Sequence, residues 1–172
     1  MRKRDEVKQG HERAVAEHLL RVEKIDAAFD RLGDASNREP DTVFRISDCA
    51  VGIEVATAYY NEREAQCDWE IATGEQPLAP EETRATPVIG NPDRLICERV
   101  RRELEDKCGK AYKGAEEIWL CINLNAALSD ACSVTACAKE LKIPQEHGFA
   151  RIYLTYTAPQ DEGGGCVAIR IF

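Results

Sequence analysis

Residues 39–60 read EPDTVFRISDCAVGIEVATAYY. Two short strands account for this stretch, DTVFRI at 41–46 and AVGIEVATAY at 50–59, with SDC between them as a tight connection. Each strand brings one carboxylate that breaks its pattern. Asp41 follows Pro40 directly, and Glu54 interrupts an otherwise apolar run. Strand alternation puts Val51, Ile53 and Val55 on one face and Gly52, Glu54 and Ala56 on the other. Burying a lone carboxylate costs roughly several kcal/mol unless it is paired or bound to a cation. A solvent-facing Glu54 on an amphipathic strand costs nothing, so two readings stand open. The small residues Gly52 and Ala56 leave space beside it. Asp41 alone is ordinary turn chemistry at a strand start. Paired with Glu54 on the neighbouring strand, it makes a two-carboxylate site of hard oxygen ligands suited to magnesium or manganese.

Outward from this pair, the chain alternates helices and strands. Val15, Val22, Ile25, Phe29 and Leu32 recur at helical spacing, which predicts one long helix from Arg4 to Leu32, ended by Gly33. His11 and His18 fall near the centre of that stripe, Glu12 at its edge and Glu17 on the far side. The two histidines are two turns apart, too far for one ion, and read as packed or site-lining residues. NEREAQCDWEIATG, 61–74, reads as the start of a helix or a loop with helical turns. Residues 72–92 hold four of the seven prolines and read as a long irregular loop. A second helix spans 91–114, with Asn91 as cap and Pro92 in the first turn. EIWLCINLN, 117–125, is a nearly continuous apolar run, as expected of a strand covered on both faces. A shorter helix at LSDACSVTACAKELKI and two closing strands, FARIYLTYT and CVAIRIF, complete the chain across the glycine-rich turn APQDEGGG. The expected architecture is one α/β domain over residues 1–172, a central mixed sheet flanked by helices.

Lys107 is the third residue out of place. The apolar face of the second helix is Ile96, Val100, Leu104, Cys108 and Ala111, and Lys107 falls on that face. Such a lysine snorkels to solvent or finds an anion. The helix is locally basic: from Arg94 to Lys113, seven cations face four anions in a chain of net charge −8. That surplus reads either as a solvated helix with i,i+4 pairs such as Glu103–Lys107 or as a phosphate-facing element. The net charge excludes a generic nucleic-acid-coating protein but not a local basic groove. The charged start MRKRDEVKQGHER has no apolar stretch after it and no run reaches membrane-span length, so a soluble, cytoplasmic protein is expected. Eight cysteines show no CxxC spacing. They read as small buried apolar side chains in a reducing compartment, ahead of a zinc site and of a disulfide framework. No residue has the setting of a covalent nucleophile with a paired base.

PD, then a strand, then VGIEVA, then a lysine-bearing helix before WLCINL resembles the PD-(D/E)XK nuclease superfamily, in particular bacterial members with a pattern like PD…GIEVT…K…Y…WL. The likeness spans roughly residues 10 to 157. It implies a restriction-endonuclease-like core of αβββαβ order, here with extra C-terminal strands. By this resemblance Asp41 matches the PD aspartate and Glu54 the acidic residue of (D/E)XK. The motif lysine belongs two residues beyond the glutamate, where this chain has Ala56. In some members that lysine has moved to the following helix, which points to Lys107, and some add a glutamate from the first helix, best matched by Glu12. The implied function is a metal-dependent phosphodiesterase, a DNA endonuclease-like protein acting on DNA rather than RNA. Asp41, Glu54 and the Val55 carbonyl would hold Mg2+ or Mn2+, and Lys107 would act on the attacking water. The alternative is a catalytically inactive nuclease fold used to bind protein or nucleic acid. A chain this small, without a separate DNA-binding module, is expected to work as a homodimer or beside a larger partner.

Overall fold

The computed structural model describes residues 3–59, 92–125, 131–158 and 165–172, with isolated positions 66, 70 and 73. The pieces expected at 61–74 and in the 72–92 loop lie almost wholly outside the described residues. The elements in chain order are α1 (Lys3–Val22), β1 (Ala28–Leu32), β2 (Thr42–Ile46), β3 (Cys49–Tyr59), α2 (Pro92–Cys108), β4 (Glu117–Asn125), α3 (Ala131–Glu140), β5 (Arg151–Thr157) and β6 (Cys166–Arg170). A 3₁₀ turn at Ala35–Asn37 joins β1 to β2, capped by the Asp34 carboxylate on the Ser36 N–H. Among the described residues no helix is long and apolar enough to cross a membrane.

The six strands form one mixed open sheet in the order β1-β2-β3-β4-β5-β6. Strands β1 to β3 run as an antiparallel meander, β3-β4-β5 are parallel, and β6 returns antiparallel. Parallel neighbours need a crossover, and α2 and α3 occur in the two connections that require one. One face of the sheet carries α1, whose Ala16, Leu19 and Leu20 bury against Ile53, Val55, Trp119, Cys121 and Tyr153. The other face carries α2 and α3, whose Ile96, Val100, Leu104 and Val134 bury against Ala56, Leu120, Ile122, Ile152 and Leu154. Burial on both faces is why β4 reads as an unbroken apolar run.

Three expectations are corrected here. The first helix ends at Val22, not Leu32. Lys24 adopts the left-handed region (φ 55°) and the Ile25 N–H bonds back to the Leu20 carbonyl at 2.9 Å, a Schellman-type stop. Phe29 and Leu32 continue the helical spacing but belong to strand β1, where Phe29 packs edge-on against Phe44 at 5.6 Å. His18 is accordingly exposed, while His11 is half-buried. The second helix stops at Cys108 rather than 114, so Lys110, Ala111 and Lys113 lie in the connection to β4. Finally, Cys97 on α2 and Cys137 on α3 form a disulfide with Cα atoms 5.5 Å apart, because the two helices pack side by side on one sheet face. The buried apolar reading describes Cys108 and Cys121, whose thiols are pushed up by burial, in Cys121 to about 12. Cys49 and Cys166 are half-buried, and the side chains of Cys67 and Cys132 lie outside the described residues.

Candidate active site

The site forms where β3 outruns β2. The hairpin register sets Thr42 opposite Ile53, and one further step sets Asp41 opposite Glu54. Beyond that point β3 keeps β4 on one edge, while β2 no longer covers the other. An uncovered strand edge in a crowded interior must find other partners. Asp41 supplies one: its Oδ2 accepts the Val55 N–H at 2.8 Å. In a strand the N–H and C=O of one residue point to the same edge, so the Val55 carbonyl shares that open side. Pro40 suits this corner because it has no N–H to lose.

Glu54 lies on the α2 face of the sheet and is 6% exposed, which decides between its two readings. Its Oε1 accepts from Lys107 Nζ at 2.6 Å across 53 residues of sequence. Lys107 is 17% exposed, so it does not snorkel to bulk water. Glu12 of α1 is buried on the cavity wall and pairs with Lys8 at 3.3 Å. Glu17 instead pairs with Arg13 near the surface. Lys8, Glu12, Asp41, Glu54 and Lys107 line a cavity of about 720 Å³, shared with Val55, His11 and Tyr112, while Glu17 stays outside it. His11 Nε2 lies 3.5 Å from the Thr57 hydroxyl on β3. All five sequence-derived candidates, Glu12, Asp41, Glu54, Val55 and Lys107, therefore meet in one cavity.

The charges explain the protonation behaviour. Burial, then the charges of Glu54 and Glu12, push the Asp41 carboxyl up to about 7. Burial also raises Glu12, partly offset by Lys8. Burial works against the Lys107 ammonium, but the Glu54 charge and hydrogen bond outweigh it and hold its pKa above the ordinary lysine value. The space expected beside Glu54 is only partly real. The Pro40 ring packs over Gly52, so the room on that side goes to protein. Ala56 remains on the cavity wall.

Tyr112 was not assigned a role from the sequence. Its ring packs on Phe149 at 5.5 Å and its hydroxyl is buried in the wall of the same cavity. Burial and the adjacent Glu54 charge hold the phenol above its ordinary pKa. The signal was the tyrosine of the K…Y…WL pattern, which carries no charge and so reads as packing.

Among the described residues no group of three or more His, Cys, Asp and Glu side chains is gathered tightly enough to hold a metal ion. Among the described residues a caged zinc or calcium site is thus not built. Magnesium is different, since it is held through one or two carboxylates and keeps its remaining positions for water and phosphate. Asp41, Glu54 and the Val55 carbonyl fit that smaller demand, and the crowded carboxylates are the kind of surplus a divalent cation relieves.

Comparison with family models, curated proteins and solved structures finds no match to this chain. The functional reading therefore rests on the site's own residues.

Proposed function

We propose that this chain is a metal-dependent phosphodiesterase of the PD-(D/E)XK type, with a restriction-endonuclease-like core acting on DNA. The observation that supports it most is the Lys107–Glu54 pair at 2.6 Å inside a cavity that also holds Asp41 and Glu12. It supplies from α2 the lysine that Ala56 fails to supply on β3. The element order α-β-β-β-α-β, with β1 included, is consistent with that core. Asp41, Glu54 and the Val55 carbonyl are the groups that would hold Mg2+ or Mn2+. When bound, such an ion lowers the pKa of a coordinated water and offsets charge on the phosphate. Lys107 would orient that water or steady the developing charge. Glu12 adds a buried carboxylate on the cavity wall, tied to Lys8. Whether the chain works as a homodimer or beside a larger partner belongs to the same proposal.

The second reading, an inactive nuclease fold that only binds protein or nucleic acid, is favoured by one observation: Lys107 already neutralises Glu54 without a metal. Plasmid cleavage separates the two. Nicking or linearisation that needs Mg2+ or Mn2+ and is lost in both Glu54→Gln and Lys107→Met is the expected result. Intact plasmid at every metal concentration overturns the enzymatic reading and leaves the binding one.

A further inference from the structure

Among the described residues, Lys8, Arg38, Lys107 and Lys110 are the lysines and arginines that line the cavity. Three of them are already paired. Lys8 meets Glu12 at 3.3 Å, Lys107 meets Glu54 at 2.6 Å and Lys110 meets Asp106 at 2.5 Å. Arg38 is the exception. Among the described residues no carboxylate pairs with its guanidinium, which is exposed at the rim. Its chain neighbour Glu39 is taken by Arg31, which also donates to the Gly114 carbonyl at 2.9 Å. The backbone that carries Arg38 is fixed. Its φ is 59°, in the left-handed region where a Cβ is crowded. The Arg38 N–H donates to the Ala35 carbonyl at 3.2 Å, and the Lys113 N–H donates to the Arg38 carbonyl at 3.0 Å. The Glu39 N–H donates to the Asp34 carbonyl at 3.1 Å beside them. Lys24 and Ser47 share the left-handed conformation at turns outside the cavity, so the backbone alone singles nothing out. An unpaired guanidinium, on a clamped backbone, at a cavity whose other cations are spoken for, does.

We propose that Arg38 is the anion-recognition residue of this cavity, taking two oxygens of a phosphate group through its planar fork. A guanidinium presents parallel N–H donors at the spacing of phosphate oxygens, which a lysine ammonium does not. Lys8, Lys107 and Lys110 must each share or leave a carboxylate to meet an anion. Arg38 gives up only water. The left-handed backbone is the conformation glycine adopts most cheaply, yet the chain keeps an arginine there. The choice of phosphate rests on the phosphodiesterase reading, whereas the role of Arg38 as an anion contact is testable without any cleavage.

Arg38→Gly removes the fork and keeps both backbone hydrogen bonds. The steric relief at positive φ offsets the extra freedom that glycine gives the unfolded chain, so its melting temperature is expected to equal or exceed that of wild type. The Arg38 Nε–Hε resonance, assigned by its loss in Arg38→Gly, is expected to move when inorganic phosphate is added to the wild-type protein and to stay in place with acetate at the same concentration. With a labelled DNA duplex and Ca2+, Arg38→Gly is expected to weaken binding about fivefold, the upper range for one exposed charge contact. The slope of log affinity against log salt should become shallower by about one. Arg38→Lys restores the charge without the fork and should recover less than half of the loss. Four results overturn the proposal: an Arg38 resonance unmoved by phosphate, an equal shift with acetate, Arg38→Lys binding as tightly as wild type, or an Arg38→Gly protein less stable than wild type, which would make the side chain a structural one. If phosphate moves the Arg38 resonance while plasmid stays intact at every metal concentration, the phosphodiesterase reading fails and the anion contact stands.

Discussion

At the scale of single residues, the cost of the site is concentrated on Asp41. It accepts the Val55 N–H, yet burial and two neighbouring carboxylates raise its pKa to about 7. An unfolded aspartate titrates near 3.9, so between pH ~4 and ~7 the folded protein holds a proton that the unfolded chain has lost. Stability attributable to this group is therefore present at low pH and is lost as pH rises through 7. Asp41→Asn keeps an acceptor for the Val55 N–H and removes the titration. The variant should match wild type below pH ~4, pull ahead as pH rises from ~4 to ~7, and exceed it at pH 8 by on the order of 2–4 kcal/mol in urea unfolding without added metal. Parallel pH profiles for the two proteins would show that Asp41 is ionised in the fold at neutral pH after all. Glu12 works in the same direction more weakly, because Lys8 offsets part of its burial.

Among the elements, the corner between Pro40 and β3 determines whether these carboxylates meet. A Cβ on Gly52 would overlap the Pro40 ring and come within 3.2 Å of the Ala115 side chain and 3.1 Å of Ile118. Gly52→Ala should therefore cost about 1–3 kcal/mol and displace Asp41 along with Pro40, which thermal unfolding and Mg2+ binding would both register. A variant as stable as wild type would mean the corner yields freely. The disulfide is a second element-level tie. Cys97 and Cys137 are separated by 40 residues, so Cys97→Ser with Cys137→Ser should lower stability by about 2–4 kcal/mol, an effect that a reductant should reproduce on the wild-type protein. The hairpin and its two carboxylates were legible because proline, turn and alternation act locally over twenty residues. Lys107 was legible only as a face position, since nothing in α2 itself says that Glu54 stands opposite. β1 was not legible: Lys24 ends α1 at a position that glycine usually marks, and Phe29 and Leu32 carry on the helical spacing by coincidence. Tyr112 escaped notice because an uncharged ring reads as packing, and its place on the wall of the cavity that holds Glu54 shows only in the packed structure.

For the molecule as a whole, the proposed DNA substrate, itself a polyanion, would have to approach a chain of net charge −8. A DNA backbone is repelled at long range and gains attraction only where cations cluster. Lys8, Arg38 and Lys110 line the cavity beside Lys107, reaching it from α1, the β1–β2 connection and the loop after α2. Lys110 is already paired to Asp106 at 2.5 Å, so Lys8 and Arg38 are the freer contributors at the rim, Lys8 sharing its charge with Glu12. Among the described residues of the cavity, about three cations can then neutralise phosphates, and the slope of log affinity against log salt should be shallow, near −3, far from that of a coating protein. Binding should also need the divalent cation, which offsets the Asp41–Glu54 charge that faces the phosphate. Because the metal competes with the proton on Asp41, that requirement should sharpen below pH 7, with affinity for Mg2+ falling as pH drops. Fluorescence anisotropy with a labelled duplex, with Ca2+ added to support binding without rapid turnover, gives the slope directly. Arg38→Glu should then weaken binding about tenfold and flatten the salt dependence, since it replaces an attraction with a repulsion at the rim. Binding that is as tight without divalent metal, or that keeps its slope in Arg38→Glu, would place the DNA on some other surface and remove this cavity from its path.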